Sequence, residues 1–181
     1  MAIKFKRRIQ KMKILNPADN FKELNLAVET RWDPLTKRTA RVLNLPIQRF
    51  PAMDLKELLE KGGKGICPFC PEVLEKVTPQ FTEDFIPEGR LQIGEACVFP
   101  NRIPFDRYCG LVIFTKEHYV PLTDFKEGEL LNAFSASRTF LQRVVEKDPA
   151  VRFFSVNSGI PSGIIIIGKN QKAAFFIDSF H

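Results

Sequence analysis

Short apolar runs bounded by turn residues, interrupted by one long amphipathic segment, constrain the fold of this chain more than any other feature. Ala96-Cys97-Val98-Phe99 and Cys109-Gly110-Leu111-Val112-Ile113-Phe114-Thr115 read as buried strands. Residues 101–107 join them as a hairpin-like loop, with Pro100 and Pro104 as its turn formers. Residues 151–156 form another such run, and residues 163–168 and 173–177 are two more. Leu130, Phe134, Leu141 and Val145, with Ser137 as a small member, recur at helical spacing and predict a helix over about 125–147. Asp124 with Glu127 three residues on resembles a capping box, and Pro149 closes the segment. Clustered strands plus one long helix define an α+β fold with a mostly antiparallel sheet.

Upstream signals are more local. Asp33-Pro34 marks a turn, and residues 54–61 suit a short helix capped by Asp54 and stopped by Gly62 and Gly63. Residues 72–95 hold several turn-forming prolines and glycines and read as a wrap over the surface. The 181 residues suffice for one domain with a hydrophobic core. The longest aliphatic block, Ile164 to Ile167, is far short of a membrane span. No sustained apolar stretch follows the basic N-terminus, so we expect no export signal, a cytoplasmic location and no membrane partner.

The net charge of +6 has one source. Lys4, Lys6, Arg7, Arg8, Lys11 and Lys13 lie in a stretch of 13 residues without an acid. Removing those six from the 27 basic residues leaves 21, equal to the 21 acidic residues. A domain that tracks phosphates spreads its cations over a face. The alternation of Ile3, Phe5 and Arg7 with Lys4 and Lys6 instead fits a solvated edge strand, where lysines deter aggregation. Nucleic-acid binding is therefore not expected.

The sharpest chemical feature is Cys67-Pro68-Phe69-Cys70-Pro71. Two thiolates at this spacing on a turn reach one tetrahedral zinc ion, and Gly65 permits an unusual entry angle. A redox dithiol is the rival, but that motif normally opens a helix after a strand, and here Pro71 follows at once. Zinc needs further ligands. Cys97 and Cys109 qualify by type, but both sit in apolar runs, where cysteine is usually a small core residue. His118 lies just past a strand end beside Lys116 and Glu117; His181 is the other histidine and sits at the frayed end. Asn101 and Asn157 each follow a buried run at a turn, where an amide reaches either a ligand or the backbone.

Taken in order, five pieces resemble the N-terminal half of the galactose-1-phosphate uridylyltransferase family of the histidine-triad-like superfamily. They are Asp33-Pro34-Leu35-Thr36, the Cys67-to-Pro71 block, Val98-Phe99-Pro100-Asn101, the strand ending Phe114-Thr115-Lys116-Glu117-His118 with the helix after it, and Phe154-Ser155-Val156-Asn157. The resemblance implies a basic lead-in over 1–30, a uridylyltransferase N-terminal-like domain over 31–157 and a divergent tail over 158–181. It implies a histidine-triad-like half-domain with a zinc knuckle. Cys67, Cys70 and His118 fall on zinc ligands, Asn101 on a nucleotide-contacting asparagine and Asn157 on one near the phosphates. A UDP-sugar and a hexose 1-phosphate are the implied partners, and homodimers occur in the family.

The departure is equally concrete. The family has a His-x-His-x-Gln stretch shortly after the position of Asn157, carrying the last zinc ligand and the nucleophile that forms the covalent nucleotidyl-enzyme. Here the corresponding positions fall near Gly168 and Asn170, and no histidine is present. Lys169 is a poor substitute, and the family's phosphate-binding arginines are not recognisable, Arg41 and Arg49 being only loosely placed. No catalytic residue is expected, and the chain alone should be inactive. We expect a piece of such a protein whose reading frame left the family sequence just after Asn157; the alternative is a native zinc-stapled nucleotide-binding module without turnover.

Overall fold

The structure, a computed structural model, describes residues 4–42, 67–117, 120, 124–159 and 174–180, with backbone alone for 157–159 and 174–180. It is α+β with antiparallel sheets, as the apolar runs imply. The first sheet is a meander of β1 (Lys6–Asn16), β2 (Lys22–Trp32) and β3 (Thr39–Val42), in that order. β1 and β2 pair from Lys6 opposite Trp32 to Asn16 opposite Lys22. At their turn the Asn16 side chain accepts a hydrogen bond from the Ala18 N–H at 3.2 Å. Asn20 and Phe21 there adopt left-handed backbone angles. The basic segment thus forms an edge strand, as its alternation implies.

The hairpin has a solvated half and a buried half. Lys6, Arg7 and Arg8 stand in solvent, whereas Met12 and Ile14 on β1 and Val28 on β2 are fully buried. Leu15 and Gln80 exchange backbone hydrogen bonds at 2.8 and 3.1 Å and tie the buried end to the second sheet's surroundings. The boundary drawn at residue 30 therefore falls inside β2.

The second sheet holds β4 (Leu91–Ile93), β5 (Ala96–Pro100), β6 (Cys109–Ile113), β7 (Phe153–Gly159) and β8 (Ala174–Phe180). Their order is β4-β5-β6-β8-β7, every neighbouring pair antiparallel. β7 runs across residue 157, and β8, from the region read as a divergent tail, lies between β6 and β7. Residues 72–95 are not merely a surface wrap. They include a helix, α1 (Pro71–Val77), as well as β4 and the fully buried Phe81 and Ile86.

Helix α2 (Glu127–Lys147) confirms the long segment and corrects its details. Its N-cap is Lys126, not Asp124, and the Glu129 carboxylate accepts a hydrogen bond from the Lys126 N–H at 3.3 Å. Its buried stripe is Ala133, Ala136, Ser137, Phe140 and Val144. Of the residues that recur at helical spacing, Ser137 belongs to this stripe and Leu130 and Leu141 pack on its rim, while Phe134 and Val145 are 54% and 42% exposed. The periodicity was right and the face was rotated, because alanines carry little hydrophobic signal yet let the helix lie close to the sheet. Gly110 lies beneath the helix: an added Cβ would lie 3.5 Å from the Phe140 ring and 3.2 Å from Val98 on the neighbouring strand. The helix predicted at 54–61 and the apolar run at 163–168 lie outside the described residues.

Candidate functional site

Strand pleating gives the second sheet two apolar faces. One carries Val98 and Val112 and is covered by α2 and the hairpin. The other carries Cys97, Phe99, Leu111 and Ile113, and is partly covered by Phe69 and Leu74, which flank Cys70 in sequence. The Phe69 ring lies 5.8 Å from that of Phe99, centroid to centroid. Burial of this ring seats the Cys67–Cys70 turn on the sheet.

The turn itself is closed by the Cys70 N–H donating to the Cys67 carbonyl at 3.1 Å. Both cysteines are half-buried, and neither is in a disulfide. Cys70 is the N-cap of α1, with Pro71 at the first helical position, where its missing N–H costs nothing. This corrects the argument from Pro71: the proline starts a helix instead of preventing one. Zinc and dithiol chemistry are accordingly both compatible with the local backbone.

Three groups fix the surroundings. Arg90, half-buried, donates to the Thr78 hydroxyl at 3.1 Å and to the carbonyls of Thr78 and Glu75 at 2.7 and 3.0 Å, holding the end of α1. Thr78 in turn donates to the Leu74 carbonyl at 2.7 Å. Burial lowers the Arg90 pKa from its usual range. Glu95 accepts from the Lys116 N–H at 3.0 Å and the Thr115 hydroxyl at 2.7 Å, and these bonds, the backbone one foremost, lower its pKa. Glu95 thereby holds the chain at Thr115 and Lys116, just past β6; His118 and His181 lie outside the described residues. An open cavity of 710 Å³ adjoins the turn, with Phe69, Leu74, Arg90, Cys97, Ile113 and Lys116 among its walls.

Burial pushes the Cys97 thiol up to about 11, against the opposing pull of Arg90. Cys109 is fully buried in the helix-side core. Both behave as the core cysteines that their apolar context implies. Among the described residues, no three His, Cys, Asp or Glu side chains converge as a metal-binding group.

Asn101 donates to the Cys109 sulfur at 3.6 Å and accepts from the Ile103 N–H at 3.0 Å, so both ends of its amide serve the β5–β6 loop. Position 157 pairs with Phe176, Phe176 with Leu111, and Leu111 with Phe99. Directly opposed residues share a face, so this row runs from position 157 to the strand on which Phe69 packs. The Asp33 block is a β2–β3 turn: the carboxylate accepts from the Leu35 N–H and the Thr36 hydroxyl, both at 2.8 Å. Arg41 is paired with Asp106 at 3.3 Å. Sequence reading missed Arg90 and Glu95, because their roles arise from long-range contacts with no local motif.

No family model matches the chain. An uncharacterized protein of Archaeoglobus fulgidus is 37% identical to it over 122 residues, 66% of this chain. The match spans 35% of that protein's length, so the chain covers about a third of the relative. Among the described residues no helix is long and apolar enough to cross a membrane.

Proposed function

We propose that the chain is a histidine-triad-like half-domain of uridylyltransferase type, which binds zinc and a uridine nucleotide but lacks the nucleophile for turnover. The observation that carries this reading is the seating of the Cys67–Cys70 turn, through Phe69, on the face whose cross-sheet row ends at position 157. Cys67 and Cys70 supply two thiolates, and His118, on the segment that Glu95 directs out of β6, supplies a third ligand. Zinc in such a site is a structural staple that holds α1 against the sheet. The phosphates of a UDP-sugar lie toward Asn157, and a hexose 1-phosphate is the companion substrate of intact relatives. Asn101 serves the loop that borders the nucleotide.

The purified chain should hold about one zinc per molecule by metal analysis, reduced to background in the Cys67→Ser/Cys70→Ser variant. UDP-glucose should give a binding heat but no covalent uridylyl mass. Absence of zinc together with absence of heat for UDP and UDP-glucose defeats the proposal, and a uridylylated protein defeats its claim of no turnover.

One observation favours a second reading: the cysteine pair opens a helix, as a redox dithiol does. That reading expects a zinc-free protein whose Cys67 and Cys70 form a reversible disulfide, seen as the loss of two hydrogens by mass.

A further inference from the structure

The charge pattern alone gives a solvated edge strand; the fold adds cations from elsewhere. A groove of 390 Å³ runs beside β1, and Arg8, Lys11 and Lys13 line it from the strand. Arg107, from the β5–β6 loop, and Lys147, at the end of α2, line it from across. Phe85, half-buried among Phe81, Tyr108 and Phe140, gives it an apolar floor. Three carboxylates answer these five cations: Asp84 to Lys147 at 2.8 Å, Asp148 to Arg107 at 3.1 Å and Glu23 to Lys13 at 3.0 Å. Among the described residues no carboxylate lies within ion-pair distance of the exposed Arg8 and Lys11. The three pairs are solvent-accessible, and such pairs are weak enough to exchange a carboxylate for a phosphate.

We propose that this groove binds a single-stranded nucleic acid, independently of the zinc and nucleotide reading. The shape fits a linear polyanion. β1 has 11 residues and so spans about 36 Å. Its outer edge is unpaired from Lys6 to Ile14 among the described residues, leaving alternate backbone N–H groups available to phosphates. Exposed Ile9, between Arg8 and Lys11, also lines the groove, and an apolar side chain among cations suits an unstacked base. A membrane would match the same charges, but a concave groove fits a strand and not a flat bilayer.

The test is fluorescence anisotropy of the full chain with a labelled 12-nucleotide oligouridylate in 50 mM salt. Neutralising two to four phosphates gives a log–log salt slope of roughly −1.4 to −2.8. R8E/K11E should weaken binding about tenfold or more, whereas the charge-matched K76E/K126E, placed on other elements, should change it by less than about threefold. Should R8E/K11E fail to fold by circular dichroism, K11Q, which alters one exposed side chain, should still weaken binding and flatten the slope. No binding at 50 mM salt, equal loss in the two double variants, or binding to 1:1 phosphatidylglycerol–phosphatidylcholine vesicles without binding to RNA overturns the proposal.

Discussion

The two faces of the five-stranded sheet are made of similar residues and used differently. Among the described residues, the helix side gathers fifteen buried residues from α2, the hairpin, the 81–86 segment and the strands, whereas the turn side gathers five. Both faces alternate along the same strands, so strand sequence does not set them apart. The elements laid over them do. A 21-residue helix fills one face, and a seven-residue helix with a two-cysteine turn partly covers the other, beside an open cavity. Close packing on the helix side makes the platform rigid; among the described residues the turn side is covered by the smaller element alone.

The contrast is sharpest at Phe140, whose ring is fully buried beside Phe81 and Phe85 and against Gly110. Phe140→Ala should cost about 3–5 kcal/mol, read as a lower urea midpoint with unchanged slope. A loss below about 1 kcal/mol would mean that the helix side is not the stabilising face.

Thiol labelling separates the faces chemically. At pH 8 a thiol with a pKa near 11 is about one part in a thousand thiolate. In metal-free protein, iodoacetamide should modify half-buried Cys67 and Cys70, while Cys97 reacts at least about a hundredfold more slowly than an ordinary cysteine. Peptide mapping by mass spectrometry reads the order. Cys97 modified as quickly as Cys67 would show that the turn does not cover its side of the sheet.

What was legible in the sequence follows from how local each signal is. The β5 and β6 runs, their loop, the long helix and the basic edge strand are written in consecutive residues, and all stand where the patterns place them. The rotated face of α2 was not, because Ala133 and Ala136 earn their burial from the sheet beneath them. Nor was α1, since a proline after a cysteine signals a break or a first turn equally well until the chain beyond it is seen. Cys97 and Cys109 were legible as core from their apolar neighbours, and Asn101 only as an amide at a turn. Arg90 and Glu95 have no motif at all: each acquires its role from a backbone group brought to it by the fold.

Phe69 offers the counterpart to Phe140. It is half-buried, with its ring packed on that of Phe99, so Phe69→Ala should cost about 1.5 kcal/mol or less in metal-free protein. On the zinc reading the same change should weaken metal binding, because the turn loses its seat while keeping both thiols. A global loss as large as that of Phe140→Ala would place the turn side within the main core and end the distinction.

The smallest effect tests the link between the sheet and the segment leading to His118. Glu95 has its pKa lowered below the ordinary 4.5 by the Lys116 N–H and the Thr115 hydroxyl. Its contribution to stability is therefore fully present above pH 4.5 and is lost as the pH falls through the lower, folded-state value. Because the carboxylate is solvent-accessible, the loss should be small. Glu95→Gln should flatten the stability curve below pH 4.5 and leave its upper part shifted by a constant amount. Amide exchange at Lys116 should accelerate in the variant, while exchange at Val112, within β6, should not. Equal acceleration at both would mean that Glu95 supports the whole strand; acceleration at Lys116 alone means that it governs only where the chain leaves the sheet.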